Sequence, residues 1–368
     1  MAGYSFSRQT HEKEEDKPVA IQELNCLNAP VHDSERFNTL IKSAEAALYA
    51  RDLGNLRGSE ATPDIMVDKV KALLAQYETS PLTLEIIKGE DLLKRGLGMM
   101  HAVGKGAQSP PSLVWVSYSG DPANTSKVLT VIGKGLTFDT GGLNLKPTGS
   151  IENMYLDKSG ACGALGVLKW ALDTRAKVNL SIGLGLVENA ISSRSYKPHD
   201  ILTSLKGLTV EVGNTDAEGR LVLGDVFTYV QRKLQPTVMV DMATLTGACV
   251  VALGEETAGA MGNSDALISK LKKAGESVDE QIWHLPITEE HKEALKSKVA
   301  DLSNTGESKY GGAGKGAAFL QRFVEKDIEW AHLDIAGPGM SKKARGQFSA
   351  GCTGFGTQLL TRYILDQW

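Results

Sequence analysis

Seven polar residues fall in a fixed order between positions 134 and 220: Lys134, Asp139, Lys146, Asp157, Asp216, Glu218 and Arg220. Most sit in glycine-rich segments beside apolar runs. Unpaired buried charges are strongly unfavourable, so four carboxylates and three cations crowd together only where metal ions neutralise them. The histidines are His11, His32, His101, His199, His284, His291 and His332, with no H-E-x-x-H pair among them. A metal site here must therefore use mostly oxygen ligands, which favours hard or borderline divalent ions. Asp139, Asp157, Asp216 and Glu218 formally balance two such ions, and two bridged metals about 3.5 to 4 Å apart acidify the water between them into a hydrolytic nucleophile.

The cations divide the work. Burial and adjacent dications both disfavour the ammonium form, so Lys134 is accessible as a neutral ligand, although a lysine after a strand also serves as a surface or salt-bridged group. Lys146 near the metals can stabilise an oxyanion. Asp216, Glu218 and Arg220 alternate, so an extended segment would present them on one side. The same stretch, Thr215-x-x-Glu218, matches a capping box for a helix starting near Leu221, and the local pattern leaves both readings open.

The elements that position these groups follow from periodicity. Apolar runs at 113–118, 128–132, 178–186, 238–242 and 330–335 suit strands covered on both faces. Helical patterns cover 160–173, 221–234, 265–274, 289–297 and 317–325. Two helices precede them: Phe37, Leu40, Ile41, Ala44 and Leu48 recur at helical spacing, and Thr62-Pro63 reads as N-cap and first helical position. The fold expected is α/β, a three-layer α/β/α sandwich with a mostly parallel, mixed central sheet. In such folds ligands gather at the C-terminal ends of strands. Gly133-Lys134-Gly135 is expected to end one strand, the segment 241–247 to end another, and Asp157 to precede a helix. Residues 1–34 are polar and without periodicity, so they read as a tail before a domain at 35–368.

Composition narrows the function classes. With 368 residues, 42% hydrophobic content and a formal net charge of −4, the chain can build a large core and has no global attraction for nucleic acid or anionic membranes. Cys26, Cys162, Cys249 and Cys352 are widely spaced and read as reduced thiols. The first 20 residues lack an apolar core and no apolar run approaches a membrane span, so the expected compartment is the cytoplasm.

The segment 214–225, NTDAEGRLVLGD, resembles the signature of the M17 leucyl aminopeptidase (cytosol aminopeptidase) family, and 131–146, 241–254 and 330–337 resemble its neighbouring segments. The resemblance implies metal ligation by Lys134, Asp139, Asp157, Asp216 and Glu218, with Lys146 and Arg220 as the catalytic pair. It implies two divalent ions (Zn²⁺ or Mn²⁺, with Mg²⁺ and Co²⁺ open) and a bicarbonate general base held by Arg220. The backbone of Leu245 and Gly247 would line the anion and substrate. Met154, Thr244 and Cys352 would form an apolar pocket for leucine or methionine at a peptide's N-terminus, ordinary core packing being the other reading of these three.

Departures from the family pattern accompany the match. The family's N-terminal domain has no counterpart before Arg36, so a homo-oligomer is expected either as the family's hexamer or as a trimer of catalytic domains. His199 stands where a glycine is usual, and Lys158 stands where a methionine is usual, expected to point away from the metals and pair with a carboxylate. The competing functions are a dimetal phosphoesterase and a catalytically silent peptide- or DNA-binding member of the same family.

Overall fold

The structure, a computed structural model, describes residues 4, 6–8, 34–348 and 350–368. The expected tail, with His11, Cys26 and His32, therefore lies almost wholly outside the described residues. Eight strands form the main sheet: β1 (Leu82–Lys88), β2 (Ser112–Ser119), β3 (Val128–Asp139), β4 (Asn179–Asn189), β5 (Val238–Ala243), β6 (Ala258–Gly262), β7 (Ile282–His284) and β8 (Glu329–Asp334). Their order is β1-β2-β4-β3-β5-β8-β6-β7. The centre, β4-β3-β5-β8, is parallel, whereas β1, β2 and β6 are added antiparallel. The sheet is thus mixed, as expected.

Alternate side chains of the central strands enter two separate cores, as a pleated strand requires. Val114, Val116, Leu129, Val131, Val240 and Met242 pack on one face with α1 (Ser34–Asn55), α2 (Pro63–Leu74), α4 (Ser159–Thr174), α7 (Asp265–Glu276) and α9 (Thr357–Gln367). Leu113, Trp115, Ile132 and Met239 pack on the other with α3 (Gly98–Gly104), α5 (Gly219–Leu234) and α8 (Gly312–Gln321). A short helix α6 (Gly247–Leu253) follows β5. The helix expected at 317–325 starts earlier, at Gly312, and that expected at 289–297 is the single turn Glu289–Glu293.

Two departures at the sheet's C-terminal edge shape the site. Strand β3 does not end at Gly133-Lys134-Gly135: it pairs with β5 only from Leu129 to Gly133 but stays with β4 to Asp139, with a register shift between Leu136 and Phe138. Lys134 therefore has a strand on one side and a gap on the other. The start of α4 fills that gap through glycines: a Cβ at Gly133 would lie 2.4 Å from Ala161 Cα, and one at Gly160 would lie 2.0 Å from the Met242 carbonyl oxygen. This close approach sets Asp157, just before α4, against Lys134.

Candidate active site

The Lys134 ammonium lies 2.9 Å from Asp157 Oδ2 and 3.0 Å from Glu218 Oε1, and donates to the Thr244 carbonyl at 2.9 Å. Lys146 Nζ lies 2.9 Å from Asp139 Oδ2 and 2.5 Å from Asp216 Oδ1. Six of the seven singled-out residues thus converge on one cluster. Asp139, Asp216 and Glu218 can each place an oxygen within 4.8 Å of the other two.

Residues that the sequence pattern did not single out hold these ligand candidates. Asn189, ending β4, donates to Asp139 Oδ1 at 2.8 Å and to the Thr215 carbonyl at 3.1 Å. Thr215 Oγ1 donates to the Gly141 carbonyl at 2.6 Å and accepts from Asn144 N at 2.8 Å, so it joins the loop after β3 to the loop before α5. The capping box is thereby excluded: α5 begins at Gly219 with Glu218 as N-cap, and Glu218's side chain does not cap it. Nor is the strip extended, because Arg220 lies in the first turn of α5. Asn304 braces this loop through Gly213 N, at 2.7 Å, and the Asn214 carbonyl, at 2.7 Å. An asparagine after a strand was the only available signal for Asn189, and Asn304 had none.

Charge makes the cluster a candidate cation site. Four carboxylates face two ammonium groups within ion-pair distance, leaving two negative charges uncompensated. Burial pushes the Asp157 and Glu218 carboxyls up, with Asp139 adding to the rise and Lys134 opposing it. Burial alone would pull Lys134 and Lys146 down, yet the surrounding carboxylates hold both above the ordinary lysine value. Asp157 and Glu218, mainly through burial, and Lys134 and Lys146, through the carboxylates around them, are thus all displaced toward keeping their protons. Glu218 Oε2 is buried without a hydrogen-bond partner. The residues fit a bound divalent cation.

Arg220 is separate. Its Nη1 donates to the Asn304 carbonyl at 2.8 Å, its Nε has no partner, and no carboxylate lies within ion-pair distance among the described residues. A buried guanidinium in this state suits an exogenous anion. The Leu245 N–H is already taken by Asp334 Oδ1 at 3.1 Å, so it is not free for an anion, although Leu245 lines the cavity. At Gly247 a Cβ would meet open space.

The cluster opens into a cavity of about 350 Å³ whose lining includes Met154, Thr244, Leu245, Gly247, Ala336 and Met340. Cys352 is not part of it. The residue is fully buried behind the wall, its N–H donating to Asn55 Oδ1 at 2.9 Å and its sulfur 3.7 Å from Ser159 Oγ. Thr244 contributes a hydroxyl rather than apolar surface alone, donating to Asp157 Oδ1 at 2.6 Å. Lys158 is fully buried and makes no ion pair with the carboxylate cluster, and its partners are the carbonyls of Gly54, Leu56 and Tyr155 rather than the expected carboxylate. His199 has φ +68°, the left-handed conformation in which a glycine costs least, and its ring reaches Glu211 at 2.9 Å.

Residues 48–361 match the catalytic domain of the cytosol aminopeptidase family. The chain belongs to that family. It is 39% identical over 366 residues to a "Probable cytosol aminopeptidase" of Pseudomonas fluorescens (strain SBW25), covering 99% of this chain and 72% of that protein. A relative of the same name from Aquifex aeolicus (strain VF5) is 37% identical over 368 residues, with 99% and 72% covered. Among solved structures, the bottromycin maturation enzyme BotP in complex with Mn superposes with a TM-score of 0.83 at 33% identity, covering 89% of this chain and 71% of that one. Cytosol aminopeptidases are metal-dependent hydrolases, and in this member the oxygens of Asp139, Asp216 and Glu218 form the group disposed to hold a metal. No helix among the described residues is long and apolar enough to cross a membrane.

Proposed function

We propose that the protein is a dimetal aminopeptidase that hydrolyses the N-terminal bond of short peptides, with residues 35–368 as its catalytic domain. The observation that carries this reading is the convergence of Lys134, Asp139, Lys146, Asp157, Asp216 and Glu218, four carboxylates against two ammonium groups and so a formal excess of two negative charges, in the lining of a cavity. Lys134, Asp139, Asp157, Asp216 and Glu218 would hold the metals, Lys134 as a neutral amine once the adjacent dications displace its proton. When bound, two divalent ions supply Lewis acidity and lower the pKa of water. Zn²⁺, Mn²⁺, Mg²⁺ and Co²⁺ all suit the oxygen-rich donor set.

Lys146 faces the scissile carbonyl and stabilises the negative charge that develops on its oxygen. Arg220 holds a bicarbonate, whose contribution when bound is general-base chemistry. Leu245 and Gly247 line the space between that anion and the substrate. Met154, with Ala336 and Met340, gives the cavity an apolar wall suited to leucine or methionine side chains. The relatives' names support a cytoplasmic location, and the family match supports a homo-oligomer, trimer or hexamer, of such domains.

The decisive experiment measures metal content and hydrolysis of a leucyl chromogenic amide for the wild type and for Asp216→Ala. Activity that requires added Mn²⁺, Co²⁺ or Zn²⁺ and is lost in the variant supports the proposal. A metal-loaded, inactive wild type contradicts it and leaves the dimetal phosphoesterase and the silent peptide- or DNA-binding member as the readings to test.

A further inference from the structure

Lys158 is a charged residue of the site region that the proposed chemistry does not use. Its side chain is fully buried, and its ammonium has three acceptors: the Gly54 carbonyl at 3.0 Å, the Leu56 carbonyl at 2.7 Å and the Tyr155 carbonyl at 2.5 Å. An ammonium has three N–H donors, so each acceptor matches one donor. No carboxylate lies within ion-pair distance among the described residues. Backbone carbonyls, with the Tyr155 ring 5.7 Å from the ammonium, compensate this buried charge.

The acceptors belong to two segments far apart in sequence. Gly54 and Leu56 flank the C-terminus of α1, where the last carbonyls lack intrahelical partners and the helix dipole favours a cation. Tyr155 lies in the single turn Met154–Leu156 that delivers Asp157. Both segments form walls. Asn153, Met154 and Leu156 line the metal cavity, while Asn55, Arg57 and Tyr155 line an adjoining hollow of about 380 Å³. The two spaces share Asn153, Leu156 and Met340. Arg57 also stacks on the Tyr155 ring at 4.2 Å, and Asn55 Oδ1 holds the Cys352 N–H. The end of α1, the 351–353 segment and the Asp157 turn therefore meet around one ammonium.

We infer that Lys158 is a positioning residue, a tethered cation whose bonds to the Gly54, Leu56 and Tyr155 carbonyls fix the Asp157 turn and the side-chain pocket beside it. The inference rests on the proposed metal role of Asp157. A thioether in this place would fill the volume and leave three buried carbonyls without donors. The turn carrying Met154, Tyr155 and Asp157 would then be free to shift relative to α1. Residues that orient metal ligands in this way typically change metal affinity or activity by about 10- to 100-fold when removed.

The test compares Lys158→Ala and Lys158→Met with the wild type for folding by circular dichroism, Mn²⁺ affinity by calorimetry, and kcat and KM on leucyl and methionyl amides. Both variants are expected to fold, to bind Mn²⁺ about 10-fold or more weakly, and to show raised KM values whose leucyl-to-methionyl ratio changes. Ammonium or methylammonium chloride should restore Mn²⁺ affinity in Lys158→Ala, where the space is open, and not in Lys158→Met, where it is filled. Sodium chloride at equal ionic strength should restore neither. Wild-type metal affinity and KM in a folded Lys158→Met variant would overturn the inference, as would failure of both variants to fold, which would make Lys158 a residue of the whole fold. An inactive wild type with intact Mn²⁺ binding would count against the aminopeptidase proposal alone, because the calorimetric comparison would still read Lys158.

Discussion

Thr244 Oγ1 donates to Asp157 Oδ1 at 2.6 Å, while the Thr244 carbonyl accepts from Lys134 Nζ at 2.9 Å. One residue, directly after β5, therefore orients two candidate ligands through its two oxygens. Thr244→Val keeps the shape and the carbonyl but removes the hydroxyl. It is expected to weaken Mn²⁺ binding by about 10-fold or more, as the loss of a ligand-orienting partner does elsewhere. Thr244→Ser should remain close to the wild type. Calorimetric Mn²⁺ titration of the three proteins checks this, and unchanged affinity in Thr244→Val would remove the orienting role.

Lys134 and Arg220 are both buried cations, yet only Lys134 sits among the carboxylates. Lys134→Ala should lose bound metal and activity together. Arg220→Ala should keep its metal and lose mainly rate, by about 10²- to 10³-fold in kcat, the range for deleting one preorganised electrostatic contact. Metal analysis alongside steady-state kinetics separates the two. Equal metal loss in both variants would contradict the division of roles.

What the sequence revealed and what it hid separate along physical lines. Thr62-Pro63 starts α2 as expected, with Thr62 Oγ1 accepting from Ile65 N at 3.4 Å, because helix capping is local chemistry. The central strands were legible because burial on both faces demands continuous apolar runs. Strand β6 was not, since Ala258–Gly262 reads AGAMG and has no β-branched residue; its place beside β8 comes from tertiary packing. The start of α8 was hidden for a similar reason: a Cβ at Gly314 would lie 2.2 Å from the His291 ring, so its glycines make room for a side chain rather than break the helix. In the site, the converging charges were legible from residue type and family pattern. The contacts of Thr215 with Gly141, of Lys158 with Gly54 and of Cys352 with Asn55 were not, because these partners lie 74, 104 and 297 residues away along the chain.

Glu280 gives the fold a pH dependence outside the site. Its Oε2 accepts from Gly356 N at 3.0 Å and Leu359 N at 2.8 Å at the start of α9, and burial pushes its carboxyl from 4.5 up to about 7 despite these bonds. The folded state then binds a proton that the unfolded chain releases between those two values, so stability falls as pH rises through that window. Relative to Glu280→Gln, which cannot titrate, the wild type should lose up to roughly 3 kcal/mol between pH 4.5 and pH 7 and nothing further above it. Urea midpoints of both proteins across that range test the sign. A difference independent of pH would show that Glu280 is ionised in the fold at every pH used.

Two glycine substitutions should separate the framework of the site from its open space. At Gly160 a Cβ would lie 2.0 Å from the Met242 carbonyl oxygen, a backbone atom of β5 that cannot swing aside. Gly160→Ala must therefore push the start of α4 away from the sheet. It is expected to cost about 1 to 3 kcal/mol of stability, the usual range for overpacking, and to weaken metal binding because Asp157 moves with the helix. At Gly247 the same methyl meets nothing within 4 Å, and alanine is the better helix former by up to about 1 kcal/mol. Gly247→Ala should thus unfold at the same urea concentration as the wild type or a higher one and keep its metal. Because Gly247 lines the cavity, the added methyl should act on substrate, raising KM for leucyl amide while leaving Mn²⁺ affinity unchanged. If Gly247→Ala instead lost metal, the cavity wall and the metal cluster would be mechanically one unit.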